Sequence, residues 1–101
     1  MIFKGSIPAV ITPFEENFKI DFDSLGNHIN FLISKGSSGL VSCGTTGESP
    51  TLDHDEHKKV TEFIIKQSKG KVPVMAGCGS NSTNESIDLV DHAYQSGASS
   101  V

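Results

Sequence analysis

Gly39-Leu40-Val41-Ser42-Cys43-Gly44-Thr45-Thr46-Gly47-Glu48-Ser49 is the stretch that decides the fold. Residues 39 to 43 are a short apolar run of strand character. It opens into glycines and hydroxyls, and a helical pattern follows soon after. A strand that ends in such a turn before a helix is how parallel α/β folds build a small-anion site. The glycines let the backbone turn sharply and aim N–H groups inward. Thr45 and Thr46 add two hydroxyl donors on the same rim. The composition of this turn fits a carboxylate or a phosphate.

The same arrangement recurs on both sides of this stretch. Ile7-Pro8-Ala9-Val10-Ile11 is a β-branched run stopped by Thr12-Pro13, with Pro8 near its start, where a lost N–H costs least. Leu25, Ile29, Leu32 and Ile33 then recur at helical spacing, with Asp23 as the expected N-cap and Gly36 as the stop. Asp53-His54-Asp55-Glu56 reads as a capping box, and Val60, Phe63 and Ile64 continue that helix's buried face. Val72-Pro73-Val74-Met75-Ala76-Gly77 is a third strand, running into Cys78-Gly79-Ser80-Asn81. Ser82-Thr83-Asn84-Glu85 reads as another capping box opening a third helix, whose expected inner face is Ile87, Val90, Ala93 and Tyr94, with Gly97 ending it. Ala98 to Val101 begins a fourth strand.

Strand starts near 7, 39 and 72 give a repeat of roughly 30 residues, the size of one βαβ step. Apolar rather than alternating strands point to a parallel sheet covered by helices. A doubly wound sheet and a (β/α)8 barrel both have this layout. No G-x-G-x-x-G follows the first strand, and polar glycine-rich turns follow strands two and three alike. That favours the barrel, in which every strand's C-terminal end faces one shared pocket. A barrel takes about 250 residues, so residues 1–101 read as the N-terminal part of a single barrel domain, three or so units of eight.

Composition narrows the function classes. The 101 residues carry a formal net charge of −4, which gives no electrostatic case for nucleic acid or an anionic membrane surface. No apolar run approaches the ~20 residues of a membrane span. The N-terminus lacks the layout of a secretory signal, so a cytoplasmic location is the expectation. Cys43 and Cys78 each end an apolar run before a glycine and read as strand-end thiols without metal-ligand spacing.

Three segments together carry a resemblance: Gly44-Thr45-Thr46-Gly47-Glu48-Ser49, Leu52-Asp53-His54-Asp55-Glu56-His57 and Ala76-Gly77-Cys78-Gly79-Ser80-Asn81. With the opening Gly5-Ser6-Ile7-Pro8-Ala9-Val10-Ile11-Thr12-Pro13-Phe14, they resemble the dihydrodipicolinate synthase family, collinearly and over essentially the whole chain. The G-x-T-G-E core alone is shared with wider pyruvate-dependent aldolases, N-acetylneuraminate lyase among them. The resemblance implies a homotetrameric (β/α)8 lyase that condenses pyruvate with aspartate semialdehyde on the diaminopimelate route to lysine. Pyruvate would be held as a Schiff base on a barrel lysine, so no metal or organic cofactor is implied.

On the matching positions, Thr46 would bind the pyruvate carboxylate, and Thr45 would join a hydroxyl proton relay with two tyrosines. Ser49, Pro50, His54, His57, Asn81 and Glu85 match an inhibitor site for L-lysine. The family's Schiff-base lysine and both relay tyrosines fall beyond residue 101. The lysines present sit on helix faces, helix ends and polar turns, and Tyr94 reads as core. The isolated chain is therefore expected to be inactive. Two other readings stay open: a different pyruvate-dependent aldolase such as N-acetylneuraminate lyase, and a non-catalytic truncated product.

Overall fold

The computed structural model describes residues 2–101. The elements run α1 (Phe22–Ser34), β1 (Leu40–Ser42), a single 3-10 turn (Ser49–Thr51), α2 (His54–Ser68), β2 (Val74–Ala76) and α3 (Thr83–Ser96). β1 and β2 pair in parallel, with Leu40 opposite Val74 and Ser42 opposite Ala76. The first and fourth expected strands flank this pair as parallel bridges rather than full strands. Ala9 pairs with Val41, and Ser100 with Met75. Pro8 takes part without its missing N–H, because its carbonyl accepts from Val41 N at 2.9 Å. The spatial order of the four segments thus follows their order in the chain.

The core lies between this ladder and the helices. Val10, Leu25, Ile29, Leu40, Val60, Ile64 and Val74 form it, each at most 3% exposed. α2 lies between α1 and α3, packs on both and covers the two strands.

The helix ends follow local chemistry. Gly36, at φ 99°, closes α1: its N–H meets Ile33 O and that of Ser37 meets Leu32 O. This is the paired closure that a left-handed residue after a helix permits. The N-cap of α1 is Asp21, not Asp23. Asp21 keeps an extended backbone and accepts from Ser24 N, whereas Asp23 already lies inside the first turn. A cap must stand outside the helix to reach back to its free N–H groups.

Asp53 makes the full capping box of α2. Its carboxylate accepts from Glu56 N at 2.8 Å, and its own N–H donates to Glu56 Oε1 at 2.9 Å. Asp53→Ala is expected to cost about 1 kcal/mol. Urea unfolding checks this as a lower midpoint at an unchanged slope.

α3 corrects two expectations. Its buried residues are Leu89 and Ala93. Ile87, Val90 and Tyr94 face outward, at 61%, 38% and 80% exposed, so Tyr94 is not core. The helix carries two adjacent apolar stripes, and only the Leu89–Ala93 stripe is buried. The cap of α3 is also half a box. Ser82 Oγ accepts from Glu85 N at 3.4 Å, but the Glu85 carboxylate turns away to Ser80 and His54.

Candidate functional site

The site sits at the C-terminal ends of β1 and β2. Cys43 turns the chain out of β1 with a left-handed backbone, φ 50°. The Gly44 carbonyl then accepts from Gly47 N at 3.0 Å and Ser49 N at 3.4 Å, and the Thr45 carbonyl from Glu48 N at 3.0 Å. The N–H groups of Thr45 and Thr46 make no hydrogen bond among the described residues, and both side chains are exposed. The turn therefore presents two hydroxyls and two unengaged N–H groups, a donor set suited to a carboxylate.

Thr12, which sequence reasoning passed over, fixes this turn from beneath. Its buried hydroxyl donates to Gly47 O at 2.7 Å. Thr12 stands where the first apolar run stops, and that position is the only signal the sequence offers. A Cβ on Gly47 would come within 2.8 Å of Val10 O.

Beneath the rim, β1 is tied to α2 through buried polar groups. Ser42 Oγ and Thr61 Oγ1 share a hydrogen bond at 3.2 Å, and Cys43 Sγ points at His57 O at 3.5 Å. Burial pushes the Cys43 thiol up to about 11, an inert state. His57 is 6% exposed and donates Nε2–H to Gly77 O at 2.7 Å. Burial lowers its proton affinity, which keeps the ring neutral.

At the outer wall, His54 bridges α2 to α3. Its Nε2 lies 2.5 Å from Asp88 Oδ2, and its Nδ1 3.3 Å from Glu85 Oε1. Lys58 Nζ reaches the same Asp88 oxygen at 2.7 Å, and Ser80 Oγ donates to Glu85 Oε2 at 2.9 Å. His54 and then Lys58 hold the Asp88 carboxyl down at about 2. Ser80 and then His54 lower Glu85, and Asp88 chiefly raises His54.

Thr45, Ser49, Pro50, His54, His57, Asn81 and Glu85 line one cavity of about 590 Å³, and Thr46 lies outside its wall. Asp88 and Lys58 were missed in the sequence, and Ser80 stood there only within the Ala76–Asn81 segment. The trace of the first two is spacing: His54 and Lys58 four apart, Glu85 and Asp88 three apart. Among the described residues, no group of three or more His, Cys, Asp or Glu side chains could hold a metal ion. Seven of the eight lysines are exposed, and Lys58 is committed to Asp88. Among the described residues, no helix is long and apolar enough to cross a membrane.

Consecutive parallel β/α steps with a donor-rich turn at the C-terminal strand ends define three units of a (β/α)8 barrel. The chain matches the dihydrodipicolinate synthetase family over residues 2–101 and belongs to it. It is 55% identical to the 4-hydroxy-tetrahydrodipicolinate synthase of Agrobacterium fabrum over 97 residues, which is 96% of this chain and 33% of that relative. The crystal structure of dihydrodipicolinate synthase from Aquifex aeolicus superposes with a TM-score of 0.93 at 48% identity, covering 97% of this chain and 33% of that one. The Acinetobacter baumannii synthase, solved in complex with pyruvate, superposes at 0.92 with 39% identity over 97% of this chain and 33% of that one. The chain spans about a third of the length of these relatives.

Proposed function

We propose that residues 1–101 supply the first part of a single barrel domain in a Schiff-base lyase that condenses pyruvate with aspartate semialdehyde. The observation that carries this is the turn after β1, whose two free hydroxyls and two unengaged N–H groups suit a carboxylate. Thr46 binds the pyruvate carboxylate, and Thr45 passes a proton along a hydroxyl relay. The names of the relatives and the pyruvate complex of a structural neighbour support the substrate. They favour the synthase over N-acetylneuraminate lyase. Product analysis of the complete polypeptide on aspartate semialdehyde against N-acetylneuraminate separates the two.

The amine that forms the Schiff base lies outside these residues. Such an amine needs a desolvated position to be neutral at working pH, and no lysine here has one. Borohydride trapping with pyruvate, read by intact mass, tests this. The complete polypeptide is expected to gain one reduced adduct and the isolated 101-residue chain none. A stoichiometric adduct on the isolated chain would show that one of its own lysines is activated, and would end this reading.

The second cavity wall supports a further assignment within the same enzyme. Ser49, Pro50, His54, His57, Asn81 and Glu85 form a site for an amino acid, L-lysine by the family resemblance. Glu85 faces its ammonium group, and the amide and imidazoles face its remaining polar atoms.

A further inference from the structure

We propose that Asp88 is a positioning residue that holds His54 as an imidazolium across the mouth of the rim cavity, so that a cationic ligand reaches Glu85 only in exchange with a proton. The proposal rests on the amino-acid site described above and extends it to a residue outside the cavity wall.

The geometry forces the charge. A neutral imidazole has one N–H and one bare nitrogen. Here both ring nitrogens face carboxylate oxygens, Nε2 at Asp88 and Nδ1 at Glu85. With one proton, one nitrogen lone pair would oppose a carboxylate lone pair. With two, both contacts become charge-assisted hydrogen bonds. The charged groups around the ring are Lys58 and His57 on its own helix and Glu85 and Asp88 on α3. Burial disfavours a charge on His57, and the pull of the two carboxylates on the His54 proton is opposed by the partial desolvation of His54 itself and then by Lys58.

The two contacts are unequal, at 2.5 Å and 3.3 Å. Asp88, itself anchored by Lys58, fixes the ring, and Glu85 holds it loosely. Glu85 has both oxygens occupied, one by His54 and one by Ser80. An ammonium group arriving at Glu85 must displace the imidazolium contact. His54 then keeps only one carboxylate partner and gives up its second proton more readily.

The sign follows. Below the His54 midpoint, the imidazolium competes with the ligand for Glu85. As pH rises through that midpoint, which lies above the ordinary 6.5, competition ends and affinity rises. One exchanged proton gives an affinity that rises by at most about tenfold per pH unit between the His54 midpoints of the bound and free states and levels off above the free one.

Two measurements on the complete polypeptide test this. NMR titration of the His54 ring should place the wild-type midpoint above 6.5. Asp88→Asn should lower it, and Lys58→Met should raise it. These opposite shifts are not produced by a merely structural disturbance of α2 against α3. Calorimetric titration with L-lysine at several pH values should show the affinity rise, with its midpoint moving down in Asp88→Asn. Glu85→Gln should abolish binding in every background.

A His54 midpoint unmoved by Asp88→Asn would overturn the proposal, as would L-lysine affinity that is flat across pH. If wild type binds no L-lysine while the NMR shifts occur, the amino-acid site fails and the proton exchange fails with it. The pairing of Asp88 with His54 then stands alone.

Discussion

Thr45→Val in the complete polypeptide is expected to lower kcat about 100-fold, the lower end of what one proton-transferring group supplies. The substitution keeps the volume and branching of the side chain and removes only its hydroxyl. Thr45 is exposed, and its carbonyl, not its side chain, holds the turn through Glu48 N. Stability should therefore hardly change, and a fall in kcat would report chemistry. Thr45→Ser restores a hydroxyl and should recover most of the rate. Steady-state kinetics with saturating pyruvate checks both. If valine leaves kcat within twofold of wild type, Thr45 passes no proton and only shapes the turn.

Gly77→Ala is the substitution expected to harm the fold most. A Cβ at this position would stand 2.5 Å from Cys43 O and 2.6 Å from Ser42 O. Both are backbone atoms at the end of β1, so no side-chain rotation relieves the overlap. Gly77 N also donates to Ser42 O at 2.8 Å, and Gly77 O accepts from His57. The strand ends would have to separate, at a cost of about 2–3 kcal/mol. Gly47→Ala, where the nearest atom is Val10 O at 2.8 Å, should cost less. Denaturant unfolding of the two variants gives the order, and a Gly77→Ala protein as stable as wild type would show that β1 and β2 can part freely here.

Local chemistry made much of this fold legible. The Asp53–Glu56 box and the Gly36 and Gly97 stops depend on residues close in sequence, and the structure has them where the sequence places them. The cap of α1 was misread because Asp21 and Asp23 lie two residues apart, and only the start of the backbone turn tells them apart. The inner face of α3 was misread for a different reason. Leu89 with Ala93, and Ile87 with Val90 and Tyr94, both repeat at helical spacing. Which stripe is covered depends on how α3 is rotated against α2, and no local residue encodes that rotation.

The site divides in the same way. The Gly44–Ser49 turn is local and was readable from its glycines and hydroxyls. The contact of His54 with Asp88 spans 34 residues and depends on the register of two helices. Neither residue announces the other, and Asp88 alone looks like any solvated helix carboxylate. Thr12 is similar, since its bond to Gly47 O joins positions 35 residues apart.

The way α2 packs on both of its neighbours, with the strands in chain order, has a meaning for how such genes change. Each β/α step meets chiefly the steps before and after it, as in a ring of repeated pieces. Backbone bonds at the starts of the strand segments, such as Ser38 N to Ser6 O and Leu40 N to Pro73 O, tie one step to the next. A ring of this kind can be opened between a helix and the following strand without dividing any step. Duplication, fusion and permutation of whole steps are thus open routes for such a gene, while a break within the Gly44–Ser49 turn would divide the hydroxyl and N–H donors that it holds together.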